Sequence, residues 1–387
     1  MLYDTRFING LVFCSETGTF QKTNVYVQNG VIAEAENDDS ADARVTVDCE
    51  GKYVLPGLID EHLHINLYGT IIGANADTVC VPSGITTAVD GGSCGASNFV
   101  QFYNSNVIRY EPHVYSYLNV STFGNKSLCK HEEDHDPADF RPDLMEKLFR
   151  AYPDTLRGLK VRMCKATLGD YGMAPLYRAI EISEDLQSKG YFCPVVIHYD
   201  DLPDNVSVEE LFNALRPGDI AAHVYQCKAE TIFLKDGTIH PAVRRARERG
   251  VIMDDCHGRV HWTIPHLQKA AEQDFLPDII SSDCVRISEY VRPGFSLIYA
   301  MCMQSACGMP LEKVLQAVTI NPAKALGICD RAGSLRVGMP ADIAVFDIQD
   351  TERIFADNYG NTIKGSKLFV PLLTMIDGRI AYRQIFF

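Results

Sequence analysis

The chain has 387 residues, of which 46% are hydrophobic and 22% charged, with a formal net charge of −14. That is enough apolar material for one large core, or for a large domain and a small one. An acidic chain without a basic run suits neither nucleic acid nor an anionic membrane surface, and no apolar run approaches the ~18 residues of a membrane span.

The N-terminus, MLYDTRFINGLVF, lacks the positive and apolar regions of a secretory signal. The thirteen cysteines are scattered singly with no CxxC pair, which argues against a disulfide framework or a zinc ribbon. They fit a reducing compartment, and the expected location is the cytoplasm.

Short strands come first. Thr23 to Gln28 is rich in β-branched and aromatic residues, and Asn29-Gly30 is a hairpin signal. The C-terminus returns to this style, with turns and a strand from Ala332 to Asp347 and an Asp377-Gly378 turn within Leu372 to Tyr382. The middle differs. Apolar strand candidates at Leu58–Ile65, Ile85–Asp90, Val114–Asn119, Leu159–Met163, Pro194–His198, Ile220–His223, Val251–Asp254 and Ile279–Ser282 alternate with helix-like stretches. The helical candidates include Met173–Lys189, Val208–Leu215, Pro241–Arg249 and Trp262–Gln273. This alternation predicts an α/β fold: a (β/α)8 TIM barrel over 55–330. Residues 1–54 and 331–387 would together form a small β-sandwich domain. The open, doubly wound alternative is weakened because no Gly-rich dinucleotide fingerprint follows an early strand.

Polar residues stand where the apolar strands stop: His62 and His64 in VLPGLIDEHLHI, Lys160 in GLKVRM, His198 in PVVIHYD, His223 in DIAAHVY, His257 in VIMDDCHG and Asp283 in IISSDC. In a barrel these ends meet at one mouth. Alternation puts His62 and His64 on one face, so both can bind one ion. It also turns Lys160, Arg162 and Cys164 inward while Leu159, Val161 and Met163 face the helices. An interior lysine is costly unless neutral or paired. A neutral lysine amine can capture carbon dioxide as a carbamate, which could bridge two cations. A lone histidine at a strand end is more often a structural hydrogen-bonder, but the His62–His64 pair followed by Lys160, His198, His223 and Asp283, each ending a separate strand, points to metal. Imidazole and carboxylate donors suit zinc first, with manganese, iron or nickel as options. By alternation Cys256 and Cys284 face away and read as packing. Arg162, Arg286 and Arg292 are candidate clamps for a substrate carboxylate, with ordinary ion pairing favoured for Arg292.

VLPGLIDEHLHI resembles the first-strand motif of the amidohydrolase superfamily, the metal-dependent hydrolases related to dihydroorotase, hydantoinase and urease. AVTINPAKALGICDRAGSLRVGMPADIAVFD resembles that family's exit from the barrel into its terminal β domain. GLKVRM, VVIHYD and AAHVY look closest to deacetylase-like enzymes of the dihydroorotase-like group. The resemblance implies two divalent ions. His62 and His64 would bind the more buried one, Lys160, carboxylated by CO2, would bridge, and His198 and His223 would bind the second. Asp283 would complete the first site and carry the proton. His257 would face the substrate. The deaminase branch fits poorly, because Tyr-Asp-Asp follows His198, and Ser-Ser-Asp-Cys-Val-Arg at strand eight departs from the Thr-Asp-Leu-His usual in relatives.

The expected function is hydrolysis of an amide or ester of a small N-acyl or O-acyl molecule by a metal-bridged hydroxide. A cyclic amide hydrolase of the dihydroorotase or hydantoinase type is the alternative, with the same ligands and different loops. A barrel that has lost catalysis and only binds is the rival from another class. The expected partners are a small-molecule substrate and further copies of the chain in a homo-oligomer.

Overall fold

The structure, a computed structural model, describes residues 2–35, 41–125, 133–291 and 296–387. Seven strands come first: β1 (Leu2–Ile8), β2 (Leu11–Cys14), β3 (Thr19–Lys22), β4 (Val25–Gln28), β5 (Val31–Ala33), β6 (Asp42–Asp48) and β7 (Tyr53–Pro56). Seven more, buried along most of their length, follow at longer intervals. They are β8 (Leu58–Leu63), β9 (Ile85–Asp90), β10 (His113–Asn119), β11 (Leu156–Met163), β12 (Val195–Tyr199), β13 (Ile220–Ala222) and β14 (Ile252–Asp254). The chain closes with β15 (Ile343–Asp350), β16 (Ile354–Ala356), β17 (Thr362–Lys364), β18 (Lys367–Ile376) and β19 (Arg379–Arg383).

β8 to β14 form one parallel, curled sheet in sequence order. Parallel neighbours need crossovers, and the helices supply them. Helix Ala174–Ser188 joins β11 to β12, Val208–Ala214 joins β12 to β13, and Pro241–Arg249 joins β13 to β14. Local chemistry sets their ends: the Ser207 side chain caps its helix by accepting from the Glu210 amide, and Gly250 in the left-handed region stops the third. Leu159, Val161 and Met163 of β11 pack with Leu176, Ala179 and Ile182 of the first helix in the main core. On the other face, Ile59, Val89, Tyr117, Val196, Ile220 and Ile279 meet Ala323, Leu326 and Ile328, which plug the floor.

The eighth candidate, Ile279–Ser282, is not a strand. Residues 279–284 nevertheless lie between the two free edges, with single parallel bridges from Ile279 to Asp254 and from Cys284 to Leu63. Side chains take the groups a full ladder would use. The Ser282 amide donates to Asp60 Oδ1 at 2.9 Å, and the Ser281 hydroxyl donates to Asp254. The architecture is thus an α/β fold with a seven-stranded curled sheet, consistent with a TIM barrel.

The terminal strands form a four-stranded sheet, β5-β4-β1-β6, and a six-stranded sheet, β19-β18-β15-β7-β2-β3. Both chain ends contribute to the second, where β15 pairs antiparallel with both β7 and β18. Phe7, Val27 and Val47 from one sheet and Val12, Val54, Ile343 and Leu373 from the other share one apolar cluster. The predicted hairpins are present at Gln28↔Val31 and Ile376↔Arg379. Among the described residues no helix is long and apolar enough to cross a membrane.

Candidate metal centre

Residues at the C-terminal ends of the parallel strands surround a cavity of about 220 Å³. His64, Lys160, Arg162, His198 and Asp283 line it, together with Glu133, Arg259 and His261. His62 and His223 stand deeper, almost wholly buried. A larger cavity of about 440 Å³, on the far side of β8, is lined by Asp60, Thr78, Val79, Ile85 and Cys284 and holds none of the expected ligands.

The first strand delivers its histidines with a break in register between Asp60 and Leu63. That break lets consecutive residues reach the interior: Glu61, His62 and Asp254 bring donor atoms within 4.8 Å of one another. Glu61 accepts from the Tyr117 hydroxyl. The next strand ends in Asp90-Gly91-Gly92-Ser93, and Asp90 accepts from the Gly92 and Ser93 amides and from the Ser93 hydroxyl. The Ser93 oxygen, having given its proton to Asp90, accepts from His64 Nδ1 at 2.9 Å. The lone pair of His64 Nε2 is then free on the side of Asp283 Oδ1, 3.5 Å away. Gly91 and Gly92 press directly on the site. A Cβ on Gly91 would stand 2.4 Å from His62 Nε2, and one on Gly92 would stand 2.6 Å from Lys160 Cβ.

Lys160 is 3% exposed, and its Nζ lies 3.2 Å from His62 Nε2. Burial lowers its pKa, against the pull of nearby acidic groups, which favours the neutral amine. Burial likewise drives His62, His198 and His223 well below the usual imidazole range and His64 down to about 3, with neighbouring positive groups adding to each shift. Four neutral imidazoles with available lone pairs are what a metal ion requires. His223 donates from Nδ1 to the Cys256 carbonyl at 2.6 Å, so its Nε2 carries the lone pair. His198 Nε2 is buried without a hydrogen-bond partner. Two donor groups share His223: His62, His223, Cys256 and Asp283, and His198, His223 and His261, each with donor atoms within 4.8 Å of one another. These residues fit divalent metal ions.

The expected set of His62, His64, Lys160, His198, His223 and Asp283 is gathered in one place, with three corrections nearby. Cys256, expected to face away, turns its sulfur to within 3.7 Å of His223 Nε2. Its φ of 38° takes the chain out of strand alternation just past β14. His257, expected to face the substrate, lies outside the cavity lining: its ring stacks on Trp262 at 3.7 Å and its Nδ1 meets Asp255 Oδ2 at 3.0 Å. His261, four residues on, takes that place, with Nε2 3.9 Å from Asp283 Oδ2 and its ring 4.3 Å from that of His223. Arg286 is exposed in the short turn Arg286–Ser288 and does not line the cavity, whereas Arg162 does, bonded to Glu133 Oε1 at 3.1 Å. Arg292 lies outside the described residues. Sequence reasoning missed His261, Arg259 and Glu133, all on segments without strand or helix periodicity.

Residues 207–381 match the Amidohydrolase family. The chain is 28% identical over 330 residues to a deacetylase of Brucella anthropi, covering 85% of this chain and 80% of that one. It is 26% identical to a deacetylase of Enterococcus faecalis, covering 98% of this chain and 99% of the relative. Among solved structures, an adenine deaminase superposes with a TM-score of 0.89 at 26% identity, over 99% of this chain and 100% of that one. A dihydroorotase superposes with a TM-score of 0.86 at 25% identity, over 97% and 98%. The protein is a metal-dependent hydrolase acting on carbon–nitrogen bonds.

Proposed function

We propose that the protein removes the acyl group from a small N-acylated, carboxylate-bearing molecule at a centre of two divalent ions, zinc foremost. The observation that carries this reading is the convergence of six donor-bearing side chains, from five strand ends, around one cavity of about 220 Å³. The deacetylase names of full-length relatives support the acyl specificity. The single parallel bridges on either side of residues 279–284 support a closed (β/α)8 barrel over 55–330. The shared core of the two terminal sheets supports a β-sandwich built from 1–54 and 331–387.

His62, His64, Lys160, His198, His223 and Asp283 would hold the ions. When bound, the ions supply an activated water and polarise the scissile carbonyl. Lys160, kept neutral by burial, adds its nitrogen to carbon dioxide. A new N–C bond forms, one N–H proton leaves to solvent, and the resulting carbamate offers two oxygens that share one negative charge. Asp283, between His64 and His261, accepts a proton from the attacking water and returns it to the departing amine. Arg162, held by Glu133 at the cavity wall, meets the substrate carboxylate. Arg259 lines the same cavity and extends that positive wall.

Chelator-stripped protein should be inactive and regain activity with added zinc. Assayed against N-acetyl amino acids, O-acyl hydroxy acids and cyclic imides, it should turn over the N-acyl compounds best. Turnover confined to cyclic imides would replace this reading with the dihydroorotase type, and activity indifferent to metal would overturn both.

A further inference from the structure

We propose that the Cys256 thiol is a sulfur donor to the buried metal position, beside His62, His223 and Asp283. The inference rests on the metal-dependent reading above and adds a ligand to it. Cys256 Sγ and one donor atom from each of the other three lie within 4.8 Å of one another. The sulfur is fully buried, 3.7 Å from His223 Nε2, the nitrogen that carries the lone pair.

The placement is built by the backbone. Cys256 has φ 38°, His223 φ 67° and Asp283 φ 45°, so the sixth, seventh and eighth strand positions all end on a non-glycine residue in the left-handed region. Such conformations are strained for side chains with a Cβ, and they persist where the surroundings enforce them. Here the Cys256 amide donates to Asp254 Oδ1 at 3.0 Å and its carbonyl accepts from His223 Nδ1 at 2.6 Å. One residue thereby orients an imidazole and aims its own sulfur at that imidazole's lone pair.

Most other buried cysteines behave differently, and Cys164, which also lies outside the apolar clusters, meets the Thr167 hydroxyl rather than a histidine. Cys80, Cys94, Cys193, Cys284, Cys302 and Cys307 belong to the apolar core, and Cys256 belongs to none of the apolar clusters. A thiol that filled space would sit among aliphatic neighbours, whereas this one sits among nitrogen and oxygen donors. On binding, the metal–sulfur bond replaces the S–H bond and the proton leaves to solvent. A thiolate in the shell makes the buried position prefer soft ions such as zinc and cadmium over manganese and magnesium.

The test is cobalt-reconstituted holoprotein, read by absorption spectroscopy. Wild type should show a thiolate-to-cobalt charge-transfer band in the near ultraviolet. Cys256→Ser should lose that band while keeping the visible ligand-field bands, and Cys284→Ser should retain it. Cys256→Ser should also lower the preference for cadmium over manganese by ~10–100-fold, the range typical of ligand-shell changes. Should Cys256→Ser fail to fold, zinc-edge X-ray absorption on the wild-type holoprotein decides the matter, with one sulfur expected at ~2.3 Å. Metal bound with no charge-transfer band and a purely nitrogen–oxygen shell overturns this inference alone. Failure of wild type to take up any ion overturns the metal reading with it.

Discussion

Gly92→Ala probes whether Lys160 is held in place from outside its own strand. The loop after β9 crosses directly over that lysine. A Cβ on Gly92 would stand 2.6 Å from Lys160 Cβ and 2.7 Å from Cγ. Carbon atoms rest at ~3.5–4.0 Å, so the overlap is about 1 Å and involves the root of the side chain, which cannot swing clear. Gly92 also has φ +93°, a conformation that costs an alanine ~1–2 kcal/mol. Overpacking adds ~1–3 kcal/mol. Gly190→Ala is the matched control: its φ is +89°, it is exposed, and nothing lies within 4 Å of its added Cβ. Urea unfolding should therefore place Gly92→Ala below Gly190→Ala by ~1–3 kcal/mol, the steric part alone. Elemental analysis should find less bound metal in Gly92→Ala, and hydrolysis should fall at least ~10-fold, as for disturbed ligand support. Gly190→Ala should keep full metal and activity. Equal stability of the two variants together with wild-type metal content in Gly92→Ala would refute the claim that this loop positions Lys160.

Three further outcomes are expected. Asp283→Asn should retain most of its metal and lose at least ~100-fold in turnover, the low end of a general acid–base contribution, with its acid-side pH dependence gone; near-normal turnover with full metal would make His261 the next residue to test. His113 Nε2 lies 3.1 Å from Asp342 Oδ2 at the junction of β10 with the stretch before β15, and that hydrogen bond raises its pKa. A raised folded value means stability that is fully present below the unfolded value of ~6.5 and lost as pH rises through the folded one, so His113→Gln should lower the melting temperature more at about pH 5.5 than at about pH 9, and an equal drop at both would contradict the pairing. Deleting residues 331–387 removes β15 from beside β7 and leaves a bare apolar edge, so the truncated chain should aggregate in light scattering; a soluble, fully active truncation would contradict this.

The sequence is legible wherever one physical constraint acts over several residues. Parallel strands buried on both faces are rich in apolar residues, so β8 to β14 stand out as short runs and their ends are read to within a few residues. The two hairpins are legible for a different reason. Asn29 and Gly30 have φ 52° and 79°, and Asp377 and Gly378 have φ 47° and 77°, the left-handed pairs for which those residue types are suited. The stretch Ile279–Ser282 has the composition of a strand but not its ladder, because Asp60 and Asp254 on the neighbouring strands capture its serine groups. No pattern within the segment announces partners that lie more than twenty residues away in one case and more than two hundred in the other.

The metal donors and the cavity walls differ in the same way. His62, Lys160 and His198 are marked by position, since a polar residue ending an apolar run is conspicuous and strand geometry then says which way it points. That rule expires with the ladder. Alternation continued past Asp254 sends Cys256 outward, but a left-handed φ at Cys256 reverses its direction and brings the sulfur in. The same stretch holds two histidines, and only the turn between them decides that His257 stacks on Trp262 while His261 meets Asp283. Glu133, Arg259 and His261 line the cavity from connecting segments whose conformation depends on tertiary contacts. The division has a functional consequence. Donors fixed by strand ends cannot move without disturbing the sheet, so substitutions there cost metal and catalysis together. Residues on the connecting segments can change independently of the donors, so substitutions at Glu133 or Arg259 should alter which acyl compound is accepted while leaving the bound metal in place.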